Sequence, residues 1–305
     1  MAVGVRTSRR KWLVALGTAL VLTSGAQAAP APGLFVERWI DGTSDEPATQ
    51  VQALDADTFV IRQSVRTNFE APFLYLIFGR DRALLIDTGA EGGRIRPTVD
   101  RLINQWLAAH GRSAIPLVVA HSHSHGDHIA SDDAFRARPD TRVIGLKPAD
   151  VAGFFGIRKW PDEIGRFDLG GRMLSIIPTP GHQAAAIMLY DPRLKILLSG
   201  DTLYPGRLYV PVNFLDANRA SLDRLTAFAR RHPVRVVLGA HIEMTRAPGR
   251  DYPHEAPAHP DEHPLELPAR SIGELRDGLK AKLDKPGEPQ VHNDFIIYPV
   301  PARAE

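Results

Sequence analysis

Four histidines and one aspartate lie within eight consecutive residues, from His121 to His128, directly after an apolar segment that indicates a buried strand. Open α/β sheets place ligands in loops at the carboxyl ends of their strands. Imidazole nitrogens and carboxylate oxygens are suitable zinc ligands, and a set without thiolate leaves room for bound water. A polar loop whose histidines only cap the following helix would not need five potential ligands. We therefore interpret this loop as part of a metal site.

Three further ligand-capable residues occupy similar positions along the chain. His182, Asp201 and His241 each lie in or beside a glycine-containing turn that follows a predicted strand. Asp87 likewise ends an apolar strand in the sequence Asp-Thr-Gly. The repeated placement of such residues after strands strengthens the prediction of a metal site built from several loops.

The apolar periodicity of the chain alternates between the spacing of strands and that of helices. Helices are predicted near residues 95–110, 219–231 and 269–283, and strands near residues 58–61, 73–78, 83–86, 115–120, 141–145, 173–177, 185–190, 194–198, 234–238 and 291–298. Helices must then cover the sheets from outside, and two sheets packed face to face with helices on both flanks satisfy this requirement. The predicted fold is an α/β four-layer αββα sandwich.

The pattern predicts a signal peptide over residues 1–28 and one domain over residues 29–305, with no internal repeat. Within the domain, the segment at about 246–268 is rich in proline, histidine and acids, and we expect an irregular surface loop there. Its histidines, His254, His259 and His263, are predicted to be solvated rather than to form another metal site.

The first 28 residues differ in composition from the rest. Four basic residues precede an apolar run of eleven residues, and Ala26-Gln27-Ala28 supplies a cleavage signal. The run is shorter than the about 20 residues that span a bilayer, so we expect a cleaved leader and no stable membrane anchor. The segment from Ser8 to Leu13 resembles a twin-arginine export motif. The predicted location is periplasmic or secreted.

Charge argues against a nucleic-acid partner. Of 37 Lys and Arg residues, four lie in the predicted leader, which leaves 33 against 35 Asp and Glu and a net charge of −2. No clustered basic stripe of the kind that binds DNA or RNA is apparent. The chain contains no cysteine, so thiolate is excluded as a metal ligand. We expect a small-molecule substrate.

The order His123-x-His125-x-Asp127-His128 resembles the H-x-H-x-D-H motif of the metallo-β-lactamase superfamily, and the resemblance spans nearly all of residues 29–305. By that resemblance, one zinc ion is held by three histidines and a second by an aspartate and two histidines, while an aspartate bridges both. The implied ligands of the first ion are His123, His125 and His182, those of the second are Asp127, His128 and His241, and the bridge is Asp201.

Two residues beside this set have other expected roles. Asp87 matches a recurrent supporting position, so we expect it to hold a ligand rather than to bind metal. His121 has no place in the ligand set and is expected at the surface or behind the ligands. Because ligand types alone do not fix the metal, iron or manganese are alternatives to the two zinc ions.

The expected chemistry is hydrolysis by a metal-bound hydroxide, which Asp127 would orient. The stretch from Ser199 to Leu208 resembles glyoxalase II type thioesterases, which favours an ester, thioester or lactone substrate. Bridging Asp201 and the lack of cysteine make β-lactam hydrolysis the less favoured alternative. Tyr204 matches a tyrosine that contacts the substrate carbonyl in lactonases of the superfamily, but it could equally be an aromatic residue packed under the metal loop.

Two alternatives belong to other functional classes. Related folds bind iron with nearly the same ligands and act as oxidoreductases, although seven predicted ligands favour a dinuclear site over mononuclear iron. The second alternative is a non-catalytic metal-binding protein with this fold. It is disfavoured because such a protein would be expected to have lost ligands. Metal analysis separates the first from a zinc hydrolase, and activity assays separate the second.

Overall fold

The computed structural model describes residues 1–2, 33–43, 45–281 and 288–302. The predicted signal peptide therefore lies, from residue 3 onward, outside the described residues. The described residues from Leu34 onward belong to one compact unit. Within these ranges, no helix is both long enough and apolar enough to cross a bilayer.

The first sheet contains six strands in chain order. They are β1 (Thr49–Asp55), β2 (Thr58–Gln63), β3 (Phe73–Phe78), β4 (Ala83–Ile86), β5 (Leu117–Ala120) and β6 (Thr141–Val143). The pairs from β1 to β4 are antiparallel, whereas β4, β5 and β6 run parallel. In the parallel part, Ile86 pairs with Ala120. This register brings Asp87 beside the start of the histidine-rich loop.

A second sheet of six strands has the order β13-β12-β10-β9-β8-β7. Its strands are β7 (Gly165–Asp168), β8 (Met173–Pro178), β9 (Ile187–Asp191), β10 (Ile196–Gly200), β12 (Val236–Gly239) and β13 (Glu266–Pro268). The parallel pair β10 and β12 aligns Gly200 with Gly239. The residues that follow these two strands, Asp201 and the segment ending at His241, therefore leave the sheet side by side.

The remaining elements are one small sheet and the helices. The small sheet has the order β11-β15-β14, with β11 (Arg207–Pro211), β14 (Gln290–Val291) and β15 (Ile296–Val300). The helices are α1 (Ile95–Ala109), α2 (Gly126–Ile129), α3 (Asp132–Arg136), α4 (Pro148–Phe155), α5 (Leu215–Ala229) and α6 (Arg270–Lys280), with a short 3-10 turn at Val212–Phe214.

Three apolar layers hold these elements together. The central layer lies between the two large sheets and includes Tyr75 and Leu238. On the outer side of the first sheet, residues such as Leu76 pack against α1. On the outer side of the second sheet, residues such as Leu197 pack against α5 and α6. The predicted αββα sandwich is confirmed, and its double-sided burial explains why central strands such as β3 are apolar at every position.

The structure also contains elements that the apolar pattern did not predict. Strand β1 is an edge strand with only one buried residue, so its sequence carries little apolar alternation. Strand β11 contains a buried arginine, and α4 is only eight residues long. The strand predicted at 291–298 is in fact two short strands, β14 and β15, which pair antiparallel around a turn.

The proline- and histidine-rich segment at about 246–268 has little regular structure before β13 at its end, and it is not simply solvated. His254 is exposed, whereas the expectation of solvation is wrong for His259, which is 5% exposed. His259 stacks on Tyr252 with a ring distance of 4.5 Å, and its Nδ1 lies 3.1 Å from Oε1 of Glu262. Glu262 in turn forms a bidentate ion pair with Arg62 of β2. This ion pair holds the segment against the first sheet.

We predict that Glu262→Ala lowers the free energy of unfolding by about 3–5 kcal/mol, because it leaves a buried guanidinium without its counter-charge. Arg62 is 0% exposed at its side chain and Glu262 is 6% exposed. The measurement is urea unfolding followed by circular dichroism. Glu255→Ala in the same segment is the control, with an effect within about 0.5 kcal/mol, because its side chain is 67% exposed. A loss below about 1 kcal/mol for Glu262→Ala would show that the pair does not fasten the segment.

Candidate metal centre

The predicted ligands converge at one edge of the two sheets. His123, His125, Asp127 and His128 follow β5, His182 follows β8, Asp201 follows β10, and His241 follows β12. The short helix α2 supplies Asp127 and His128, with the amide of His128 donating to the carbonyl of His125 at 3.1 Å. Strands separated by more than 100 residues thus bring seven side chains to one place.

Three of the histidines form a first group. Nδ1 of His125 lies 2.9 Å from Nε2 of His123 and 3.0 Å from Nε2 of His182. The three rings meet nearly edge to face, with interplanar angles of 76° to 85°. One nitrogen from each ring therefore faces a common point.

A second group combines Asp127, His128, Asp201 and His241. Oδ2 of Asp127 lies 3.0 Å from Nε2 of His128 and 3.3 Å from Nε2 of His241. Oδ1 of Asp201 lies 3.4 Å from Nε2 of His128 and 3.2 Å from Nε2 of His241. Each of the four residues thus offers one potential ligand atom, and these atoms lie close enough together to bind one cation.

Asp201 faces both groups. While its Oδ1 belongs to the second group, its Oδ2 lies 3.7 Å from Nε2 of His123 and 3.6 Å from Nε2 of His182. The side chain is 10% exposed, so both oxygens are largely removed from solvent. A single carboxylate positioned between two nitrogen clusters is the arrangement that a bridging ligand requires.

Unsatisfied polar atoms make the second group a candidate cation site. Among the described residues, Nε2 of His128, Nε2 of His241 and Oδ1 of Asp201 are buried and make no hydrogen bond. Buried polar atoms are almost always satisfied by hydrogen bonds, water or ions. A metal ion at the point that these atoms face would satisfy all three, so the residues present fit the group that the motif implies.

Three of the histidines use the nitrogen that does not face the centre to bind a partner of their own. Nδ1 of His128 lies 3.0 Å from Oδ2 of Asp87, and Nδ1 of His182 and His241 donate to the carbonyls of Tyr209 and Glu70 at 2.9 and 2.7 Å. Such partners fix the tautomer and direct Nε2 inward. Asp87 was identifiable from its position after a strand, whereas the backbone carbonyls carry no sequence signal.

The electrostatic environment suits metal ligands. Burial lowers the pKa of His123 well below its usual value and that of His125 to about 4, so both rings are neutral and can bind a cation. Burial opposes ionisation of Asp201, but the positive charges of His241 and His128, whose own pKa values Asp201 and Asp127 raise despite burial, outweigh it and hold the pKa of Asp201 well below its usual value. A cation bound at the second group would replace these protons. Burial also raises the pKa of Glu70, beside His241, to about 7.

We predict that Asp87→Ala weakens metal binding by about 10–100-fold without removing a ligand. Oδ1 of Asp87 accepts the amide of Ser122 at 2.7 Å, so the carboxylate holds both the loop and the ring of His128. Competition with a chromophoric chelator measures the affinity. Asp168→Ala, at an exposed position of β7 on the opposite side of the fold, should leave the affinity unchanged. Equal affinities for wild type and Asp87→Ala would contradict this role.

Two residues near the centre have defined but different surroundings. His121 is buried rather than at the surface, and its Nε2 lies 2.8 Å from Oδ1 of Asp132, which also accepts the hydroxyl of Thr88. Tyr204 is 2% exposed, and its hydroxyl donates to the carbonyl of Arg207 at 2.5 Å. Of the two roles expected for Tyr204, this geometry favours packing under the metal loop.

Comparison with known proteins agrees with this picture. The sequence profile of the metallo-beta-lactamase superfamily matches residues 68–241, a range that contains all seven predicted ligands. The hydroxyacylglutathione hydrolase of Rhizobium meliloti is 28% identical over 179 residues, which cover 57% of this chain and 62% of that protein. The acyl-coenzyme A thioesterase MBLAC2 of Gallus gallus is 27% identical over 201 residues, covering 56% of this chain and 72% of that protein.

The chain spans less than two thirds of the length of the hydroxyacylglutathione hydrolases that it matches, for example 62% of the Rhizobium protein, 42% of that of Mesorhizobium japonicum and 35% of that of Brucella anthropi. Among solved structures, the metallo-beta-lactamase FIM-1 of Pseudomonas aeruginosa is 15% identical with a TM-score of 0.49, over 76% of this chain and 95% of that one. With the profile match extending over more than half of its residues, the chain belongs to the metallo-beta-lactamase superfamily.

Proposed function

We propose that this chain is an exported dinuclear zinc hydrolase that opens an ester, thioester or lactone bond in a small molecule. The observation that carries the proposal is the position of Asp201, whose two carboxylate oxygens face separate groups of histidines at 3.2–3.7 Å. His123, His125 and His182 would hold one ion, Asp127, His128 and His241 the other, and Asp201 both.

Two zinc ions would supply a hydroxide nucleophile near neutral pH and polarise the scissile carbonyl. The chain's own contribution is to bind the ions and to orient the nucleophile. Asp127 has a side chain that is 20% exposed, against 10% for Asp201, so its carboxylate is the more accessible of the two to solvent. Its pKa is held far below the usual value by His128 and His241, despite burial, so the carboxylate stays ionised and can accept a hydrogen bond that orients the nucleophile.

Thioesters are the first substrates to test. The stretch around Asp201 resembles that of glyoxalase II type thioesterases, and relatives bear the names hydroxyacylglutathione hydrolase and acyl-coenzyme A thioesterase. Zinc is the proposed metal because nitrogen and oxygen ligands without thiolate suit a catalytic zinc site. The proposal of export rests on the basic, apolar and Ala-Gln-Ala segments of residues 1–28.

The experiment that tests this function is a substrate panel. The zinc-loaded protein from Ala29 onward is assayed against thioesters, lactones, aryl esters, phosphodiesters and β-lactams. We expect turnover of at least one of the first three classes. Turnover of β-lactams or phosphodiesters alone would replace the proposed substrate class, and no turnover of any class would favour a binding protein. Amino-terminal sequencing of protein from the periplasm and medium tests cleavage before Ala29.

A further inference from the structure

The loops that carry Asp201 and His241 are joined by hydrogen bonds beneath the metal centre. The amide of Ala240 donates to the carbonyl of Gly200 at 3.1 Å, and that of Glu243 donates to the carbonyl of Pro205 at 2.8 Å. The amide of Arg207 donates to Oε2 of Glu243 at 2.7 Å. The positions of the two loops are therefore coupled.

Tyr204 fills the space between these loops. Its ring stands edge to face against His241 at 5.4 Å, and its hydroxyl, which donates to the carbonyl of Arg207, lies 3.1 Å from Oε2 of Glu243. A Cβ atom at Gly206 or Gly239 would approach atoms of Tyr204 to 2.3 Å. The tyrosine is buried, and its hydroxyl is engaged by two partners within the protein.

Every nitrogen of the Arg207 guanidinium has a partner within the protein. Nη2 lies 3.1 Å from Oε1 of Glu243, and Nη1 donates to Oδ2 of Asp251 at 2.9 Å and to the carbonyl of Tyr252 at 2.6 Å. Nε donates to the hydroxyl of Tyr209 at 3.0 Å. The side chain is 11% exposed, and two carboxylates offset its charge. Arg207 therefore offers little to an anionic ligand.

We propose that Arg207 is a positioning residue of the metal centre and that it does not bind an anionic part of the substrate. Its guanidinium binds Glu243 and Asp251 and thereby reinforces the backbone contacts of Arg207 with Tyr204 and Glu243, which hold the loops of Asp201 and His241 together. We call Tyr204, Arg207 and Glu243 the clasp. Through Asp251 and Tyr252, the clasp also anchors the proline- and histidine-rich segment. The inference rests on the proposed hydrolase function, but its test includes a readout that does not need turnover.

The activity test compares two thioesters with the same acyl group. The thiol part of S-lactoylglutathione carries carboxylates, whereas that of S-lactoyl-N-acetylcysteamine is uncharged. In Arg207→Lys, the lysine ammonium cannot reproduce the planar guanidinium, which donates to several acceptors at once. We expect kcat to fall by roughly 10–100-fold for both thioesters, because small displacements of catalytic groups slow the chemical step. KM should change by less than about threefold for either thioester. Arg250→Lys, at an exposed arginine of the proline- and histidine-rich segment, is the matched control.

The readout without turnover is the visible spectrum of the cobalt-substituted protein, which responds to ligand geometry. Arg207→Lys should shift the cobalt bands, and Arg250→Lys should not. If Arg207→Lys does not fold, Glu243→Gln takes its place, because the amide keeps the shape and one acceptor while removing the charge. For Glu243→Gln we expect a fall in kcat and a shift of the cobalt bands in the same direction as for Arg207→Lys, but smaller.

A KM that rises at least tenfold for the glutathione thioester alone, with an unchanged cobalt spectrum, would show that Arg207 binds substrate and would overturn the inference. Wild-type kinetics and spectra in both variants would overturn it as well. If the wild type hydrolyses neither thioester, the preferred substrate class is wrong; a shifted cobalt spectrum in the variant would still support the clasp.

Discussion

Asp201→Ala should remove essentially all turnover and lower the bound metal below two ions per chain. Its carboxylate faces both clusters of histidines, at 3.2–3.7 Å. Loss of a partner that only orients a ligand costs about 10–100-fold, so loss of a bridging ligand should reduce kcat by more than about 100-fold. Steady-state kinetics and elemental analysis of the same preparation measure both effects.

The matched control for that variant is Asp277→Ala. Asp277 lies on α6 in an outer helical layer, with a side chain that is 63% exposed and paired with Arg276. We expect Asp277→Ala to have the kcat and the metal content of the wild type. An Asp201→Ala protein that retained more than a tenth of the wild-type kcat would contradict a bridging role for the carboxylate.

Removal of metal by a chelator should abolish activity and also destabilise the fold. Without a cation, Nε2 of His128, Nε2 of His241 and Oδ1 of Asp201 remain buried without a hydrogen bond. Metal at about 1,000 times its dissociation constant stabilises the native state by about 4 kcal/mol, which corresponds to a melting temperature roughly 8–16 °C higher for a domain of this size. Differential scanning calorimetry before and after dialysis against the chelator measures the shift.

Re-addition of zinc should restore both properties, and chelation of Asp201→Ala should produce a smaller shift than chelation of the wild type. These controls separate loss of metal from damage by the chelator. Full activity after metal has been shown to be absent would refute a metal-dependent mechanism. A melting temperature that does not respond to chelation would show that the centre contributes nothing to stability.

The layered fold was predictable because long apolar segments alternate between two periodicities. Strands such as β3 and helices such as α1 are specified by their own sequences, since burial dictates apolar residues at regular spacing. Strands β1 and β11 are not specified in this way, because edge position and buried polar contacts weaken the apolar pattern. The pairing of β14 with β15 depends on a turn that an apolar stretch does not indicate.

The candidate ligands were predictable for a different reason. Metal binding demands particular residue types after particular strands, and the structure brings all seven predicted side chains to one centre. The clasp was not predictable, because Arg207 and Glu243 are 36 residues apart and their contact depends on how two loops fold back. The burial of His259 likewise follows from a long-range ion pair between Arg62 and Glu262, which no local pattern shows.

The central claim is that two zinc ions occupy this centre in an active hydrolase, and metal analysis of the protein that turns over substrate tests it most directly. The protein from Ala29 onward, purified without chelator, is divided between inductively coupled plasma spectrometry and the thioester assay. The account predicts close to two zinc ions per chain and thioester turnover that scales with zinc content. Iron in place of zinc, or turnover that does not follow zinc content, would contradict it.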